Sequence, residues 1–244
     1  MCTVTYIPQG EDHFILTSNR DENRARSPQN ITATHSERQQ LAFPRDTAAG
    51  GAWIAAGSRN QVVCLLNGAF TRHERRPSYR RSRGLMVLDF FAFDRAADFF
   101  SRYQFEGMEP FTMIIYDLDR LYDLRWDEEQ KHIRELDGDA FHIWSSATLY
   151  TPEIQEKRVR WFEEWQSRQD DLPGRAQILD FHRTAGDGDP WNDVIMNRNG
   201  IVQTVSITSI EKTPAEIDMQ YHDLINQQTK STKIRLQGEV LGAR

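Results

Sequence analysis

Residues 1–23 read Met1-Cys-Thr-Val-Thr-Tyr-Ile7, then Pro8-Gln-Gly-Glu-Asp12, then His13-Phe-Ile-Leu-Thr-Ser-Asn-Arg-Asp-Glu-Asn23. Thr3 to Ile7 is rich in β-branched and aromatic residues, Pro8 to Asp12 is a turn cluster, and His13 to Ser18, with Phe14, Ile15, Leu16 and Thr17, is a second extended run. Two such runs around a short polar cluster predict a β-hairpin. With the turn centred near Gln9 to Glu11, positions whose numbers add to about 20 or 22 oppose each other, which sets Cys2 opposite Ser18 to Arg20. The quartet Asn19-Arg20-Asp21-Glu22 then falls beside a thiol. A slip of one residue exchanges which of Arg20 and Asp21 shares the face of Cys2, and the sequence leaves that register open.

The chemistry of this stretch follows from the position of Cys2. Its side chain is small enough for Met1 to be trimmed, after which one residue carries both a thiol and a free α-amine. A free thiol titrates near ~8.5 and an α-amine near ~8, so the amine accepts a proton close to neutral pH without a histidine. Nucleophile and base are then the same residue. A neighbouring Arg favours the thiolate, and a neighbouring Asp holds and orients the α-ammonium. The alternative is a start-of-chain cysteine never exposed by processing, with the quartet a hydrogen-bonded turn.

A Met-Cys start, a short hairpin and the Asn19-Arg20-Asp21-Glu22 quartet resemble the NRDE family, also called the transport and Golgi organisation 2 family, whose members resemble N-terminal-nucleophile hydrolases. Arg45-Asp46 ahead of Gly50-Gly51-Ala52-Trp53, and the Ser82-Arg83-Gly84 step into a helix, are similar to the same family, so the resemblance covers most of the chain. In the related conjugated bile acid hydrolases and penicillin V acylases the nucleophile is likewise the cysteine after Met, with an Arg and an Asp just beyond the first hairpin. The resemblance thus implies catalytic roles for Cys2, Arg20 and Asp21, with Asn19, Glu22, Trp53 and Arg83 as substrate-binding candidates. It also implies a four-layer αββα sandwich, where the periodicities alone support only an α+β chain.

The chain has 244 residues and a formal net charge of -6. One domain over 1–244 is expected, large enough to bury a substantial core. An acidic balance argues against a general nucleic-acid binder, which needs excess Lys and Arg to neutralise phosphates. No apolar run approaches spanning length and no basic-then-apolar leader stands at the start, so a cytoplasmic protein without a membrane span is expected. Two cysteines, Cys2 and Cys64, make neither a disulfide framework nor a Cys-x-x-Cys pattern, and no metal or cofactor is assigned.

Beyond the hairpin, Asn23 to Gln40 shows no period and reads as a long loop, either a wall of the site or plain surface. The glycines at 50 and 51 allow a close backbone approach or a positive φ. Trp53 either lines the pocket or fills core. Gln61 to Asn67 is a buried strand ending in Asn67-Gly68; Asn67 either serves an oxyanion, the role the related acylases give to the backbone of a comparable Asn, or forms a turn. Cys64 reads as packing. Six arginines lie between Thr71 and Arg83, a basic stretch that either receives an anionic group or is a solvated loop. One helix is expected over Leu85 to Tyr103, then a meander of strands at Phe111–Asp117, Arg120–Trp126, His132–Leu136 and Phe141–Trp144. Thr151-Pro152-Glu153 starts a helix running to about Ser167. A second helix is expected over Ala176 to Thr184, and a closing hairpin over Ile201–Ile210 and Ile217–Leu224. Where the family carries Ser-Asn, this chain has Ser145-Ser146, and the closing strand lacks the family's usual Arg; a Ser hydroxyl would then donate to the oxyanion in place of the Asn.

Two functions follow. The first is a cysteine N-terminal-nucleophile hydrolase cleaving a non-peptide linear amide. The second is a non-catalytic binding or carrier protein of the same fold for a small anionic or hydrophobic molecule; the family's links to haem trafficking and to lipid or coenzyme A homeostasis imply haem or an acyl-coenzyme A as candidates.

Overall fold

The computed structural model describes residues 3–27, 30–36 and 38–237. Two antiparallel sheets face each other, and helices cover their outer faces. The first sheet runs in the order β10 (His142–Ser145), β1 (Thr3–Gly10), β2 (His13–Glu22), β12 (Val202–Lys212), β13 (Glu216–Asp223), β14 (Gln228–Arg235), with β11 (Asn197–Arg198) added on β12. The second runs β3 (Ile31–His35), β4 (Gln40–Pro44), β5 (Ile54–Gly57), β6 (Gln61–Asn67), β7 (Phe111–Asp117), β8 (Arg120–Trp126), β9 (Lys131–Leu136).

The alternation of β1 and β2 builds the layers. Val4, Tyr6, Phe14 and Leu16 turn inward and belong to the main core. Phe14 meets Tyr116 of the opposite sheet with ring centroids 4.5 Å apart, and Trp144 Nε1 donates to Asp123 across the gap at 3.2 Å. Ile7 and Ile15 turn outward and pack with Phe162 of α3 (Pro152–Gln166) and Ile178 and Phe181 of α4 (Arg175–Thr184). On the other side α1 (Arg83–Phe90) packs on β5 and β6, burying Met86, Val87 and Phe90, and α2 (Ala96–Arg102) buries Phe99 and Phe100 beside it. The result is the expected four-layer αββα sandwich.

Four expectations need correction. The single helix over 85–103 is two, because residues 91–95 turn: Ala96 N–H, the first of α2, donates to the Asp117 carboxylate at 2.8 Å, and Asp94 binds Arg38 and Arg59 from outside. An acceptor far along the chain therefore sets the second helix start, which no local signal reveals. The segment 23–40 is not structureless, since Ile31–His35 is an edge strand whose single large apolar residue gives no period. The last strand of the expected meander, β10, leaves that sheet and pairs with β1. A further strand, β14, follows the closing hairpin; its lysines suit an exposed edge and hide it from hydrophobic patterning.

Candidate active site

In the hairpin Thr3 pairs with Asn19 and Val4 with Ser18, so opposed numbers add to 22. Cys2 lies outside the described residues. Continuing the alternation of β2, Arg20 and Glu22 reach a cavity of about 390 Å³ between the sheets, whereas Asn19 and Asp21 sit on the side that carries the helices. Alongside, β12 shifts register between Thr204, paired with Asp21, and Ser206, paired with Arg20. Such a bulge bends and twists the strand next to the site.

Arg20 is 3 % exposed. Its guanidinium lies 4.0 Å from the centre of the Trp53 ring, ion-pairs with Asp46, and donates to the carbonyl of Arg26 at 2.7 Å. Burial lowers the pKa of Arg20 and the Asp46 carboxylate opposes that shift, which leaves the group a cation. Burial acts on Asp46 to raise its pKa, but N–H donors from Ala49 and Ala48 and the charges of Arg20 and Arg26 outweigh it and hold the carboxyl below its ordinary range. Arg26 bridges Asp46 at 2.8 Å and Glu22 at 2.7 Å. A fixed cation on an aromatic face is thus held by a carboxylate that is itself fixed by a turn.

The far wall is the start of α1. Gly51 passes so close to Gly84 that a Cβ there would stand 2.3 Å from the Gly84 carbonyl carbon, and Ala52 N–H donates to Gly84 O at 2.9 Å. Gly51 therefore lets the 46–51 turn meet the helix start, and Gly50 takes the positive φ of 69°. Arg83 opens α1; burial lowers its pKa to about 10 against the opposing pull of Glu109, whose carboxylate stands 3.1 Å away. Asn67, at the end of β6, also lines the cavity, and its carbonyl accepts the Ser146 hydroxyl at 2.9 Å. Ser146 is fully buried and its hydroxyl is turned to Asn67 O and Thr148.

The opposite face of β2 is a buried hydrogen-bonded layer. Asn19 donates to the carbonyls of His182 and Val194, each at 3.0 Å, and its carbonyl oxygen bonds His182 Nδ1. His182 is fully buried with Nε2 2.8 Å from the Thr5 hydroxyl. Burial, and then the nearby Arg158, lowers its pKa to about 3, so the ring is neutral. Asp21 accepts from the Tyr150 hydroxyl at 2.9 Å and the Thr204 hydroxyl at 2.5 Å. Cys64 is fully buried, and burial pushes its thiol up to about 12, in keeping with packing.

A family model for transport and Golgi organisation 2 matches residues 1–183. The chain belongs to the transport and Golgi organisation 2 family. Solved structures of low sequence identity share the fold. A Caenorhabditis elegans N-acylethanolamine-hydrolyzing acid amidase ortholog superposes with a TM-score of 0.55 at 12% identity, covering 86% of this chain and 92% of that one. Two variants of conjugated bile acid hydrolase from Clostridium perfringens also match. The arginine-to-leucine variant gives a TM-score of 0.54 at 10% identity, covering 95% of this chain and 92% of that one. The cysteine-to-alanine variant gives 0.53 at 9%, covering 96% and 92%. No curated protein sequence matches the chain.

In this member of the transport and Golgi organisation 2 family, the structure brings Arg20, Glu22, Trp53, Asn67 and Arg83 to one cavity and sends Asn19 and Asp21 to the other side of β2. Arg26, Asp46 and Glu109 also line the cavity and had been given no role in the site from sequence, Asp46 having figured only in the Arg45-Asp46 motif. Asp46 had a usable signal, an Asp directly before small residues and paired glycines, the pattern of a carboxylate capping a tight turn. Neither histidine, methionine nor cysteine lines the cavity among the described residues. No helix of the described residues is long and apolar enough to cross a membrane.

Proposed function

We propose that the protein is a cysteine hydrolase of linear, non-peptide amides, with Cys2 as nucleophile once Met1 is removed. The observation that carries this reading is Arg20, a buried cation fixed on Trp53 at the wall of a cavity, at the end of the hairpin whose first strand, from Thr3, directly follows Cys2 in the sequence. A thiolate is favoured beside such a cation. Its sulfur attacks the amide carbon, and the carbonyl electrons move onto oxygen. The α-ammonium passes its proton to the leaving nitrogen, the C–N bond breaks, and a thioester remains. Water then attacks the thioester with the α-amine taking its proton, releasing the acid and restoring the thiol. Asn67 supplies the oxyanion donor, worth on the order of 3 kcal/mol in such sites. Asp21 orients the amine. That Asp21 and Arg20 occupy opposite faces of β2 suits this division, since a backbone amine at a chain start is not confined to one face of a strand as a side chain is.

One observation favours the carrier reading. The Ser146 hydroxyl donates to the Asn67 carbonyl and not into the cavity, so the position where the family carries an Asn brings no side-chain amide to an oxyanion. The two readings separate on intact mass of the protein purified from cells, before and after a thiol-reactive amide or lactam probe. Loss of Met1 with a single adduct that disappears in Cys2→Ala is expected. Retained Met1 with no adduct would overturn the hydrolase and leave the carrier.

A further inference from the structure

The cavity beside Arg20 is unevenly charged. Its wall carries six guanidinium groups, Arg20, Arg26, Arg75, Arg76, Arg81 and Arg83, against three carboxylates, Glu22, Asp46 and Glu109. All three carboxylates are engaged: Glu22 by Arg26, Asp46 by Arg20 and Arg26, Glu109 by Arg83 and by His73 at 3.3 Å. Two arginines are tethered from outside the cavity, Arg76 to Glu128 at 2.9 Å and Arg81 to Asp89 through two N–H groups at 2.5 Å. Each guanidinium has five donors, so both tethered groups keep donors in reserve. Arg75 makes neither a hydrogen bond nor an ion pair among the described residues.

The loop that carries these arginines is built, not merely solvated. Arg76 N–H donates to the Tyr79 hydroxyl at 2.9 Å, Arg80 N–H to Gly107 O at 2.8 Å, and Arg80 Nε to Glu106 O at 3.2 Å. It delivers the chain to the start of α1, whose first turn holds no acidic residue to offset its positive end. An uncharged ligand in this cavity would displace water from guanidinium groups and return nothing to them, whereas an oxyanion would accept from them as paired donors.

We infer that the molecule bound here carries an acidic group, carboxylate or phosphoryl, and that Arg75 and Arg76 on the 71–83 loop select for it while Arg83 seats it. The inference deepens the reading above and rests on it for the claim that the acid-bearing molecule is also the amide that is cut. The binding claim itself is tested without turnover, by calorimetric titration of the full chain with inorganic pyrophosphate and, separately, with citrate. At least one is expected to bind, more weakly as salt is raised, and the Arg75→Gln/Arg76→Gln pair is expected to weaken it about tenfold or more. Arg160→Gln, an exposed charge on α3, is expected to leave it unchanged. Pyrophosphate alone binding would name a phosphoryl ligand, and citrate alone a carboxylate. Binding of neither, or an equal loss in Arg160→Gln, would overturn the inference. Both loop residues are exposed, so their variants fold even if Arg83→Gln, which removes the bonds to Glu109 and Pro110, does not. Titration of Cys2→Ala keeps the two claims apart. Binding retained there while wild type forms no probe adduct overturns the hydrolase and supports the anion site, and an adduct without anion binding does the reverse.

Discussion

The two faces of the last turn of β2 have the same kinds of residue and opposite fates. Asn19 and Asp21 point into a layer where polar atoms meet fixed partners on α4, β12 and Tyr150. Arg20 and Glu22 line a cavity, where their charges are tied to Asp46 and Arg26 at its wall. A polar residue whose partners are all internal contributes stability and has little left for a ligand, whereas a charge held at a cavity wall keeps its field available. The quartet is therefore two residues with internal partners interleaved with two that line the cavity, with Asp21 the one whose proposed role spans both.

The largest test of this division is acid. In the unfolded chain His182 titrates near 6.5, and in the fold burial and Arg158 lower it to about 3. Above pH 6.5 neither state binds the proton and the full stability is present. As pH falls below 6.5 the unfolded state gains a proton the native state refuses, and stability is lost until the pH passes about 3. The whole span amounts to about 5 kcal/mol at 1.36 kcal/mol per unit. Urea midpoints at pH 7 and pH 4.5 should show roughly half of it in wild type, and clearly less in His182→Gln. His222, also lowered to about 4 by burial and by Arg183 and Arg175, adds to both proteins and cancels in the difference. An unchanged pH slope in the variant would break the claim that the helix-side face holds His182 buried and neutral.

Next in size is Asn19→Leu. It strands two buried carbonyls, of His182 and Val194, and one ring nitrogen, at about 1–3 kcal/mol for each buried group left unpaired, so a loss of at least about 3 kcal/mol is expected. Denaturant titration reads it directly. A loss below about 1 kcal/mol would mean that water replaces the amide there, and the contrast between the faces would fail.

The hairpin was legible because extended runs, a turn cluster and alternation agree locally, and its register falls within the expected range. Both faces of β2 were legible as faces, but not which one looked at space, because that depends on where α4 and the second sheet arrive. His182 gave no signal at all: a lone histidine on a short helix acquires meaning only when Asn19 and Thr5 come to meet it from residues 163 and 177 positions away. The basic stretch at 71–83 was visible as charge, and only the fold distinguishes a solvated run from a cavity wall. The split between α1 and α2 was invisible for the same reason, since Asp117 caps it from another strand.

The smallest change in stability, and the most informative about function, is expected from Arg20→Met. Methionine fills most of the volume against Trp53 and removes a buried cation whose desolvation offsets much of its pairing with Asp46. Asp46 is not abandoned, because Arg26 remains 2.8 Å away and Ala48 and Ala49 N–H groups still donate to it at 2.9 and 2.8 Å. Stability should therefore move by less than about 2 kcal/mol, well under the effect of Asn19→Leu on the adjacent residue. Thiol reactivity should respond far more. If Arg20 steadies a thiolate at Cys2, the rate of labelling at neutral pH should fall about tenfold or more, and its pH profile should shift upward by about one unit. A variant that loses stability as Asn19→Leu does while labelling at the wild-type rate would assign Arg20 to the scaffold and leave the cavity face of β2 without an activating charge.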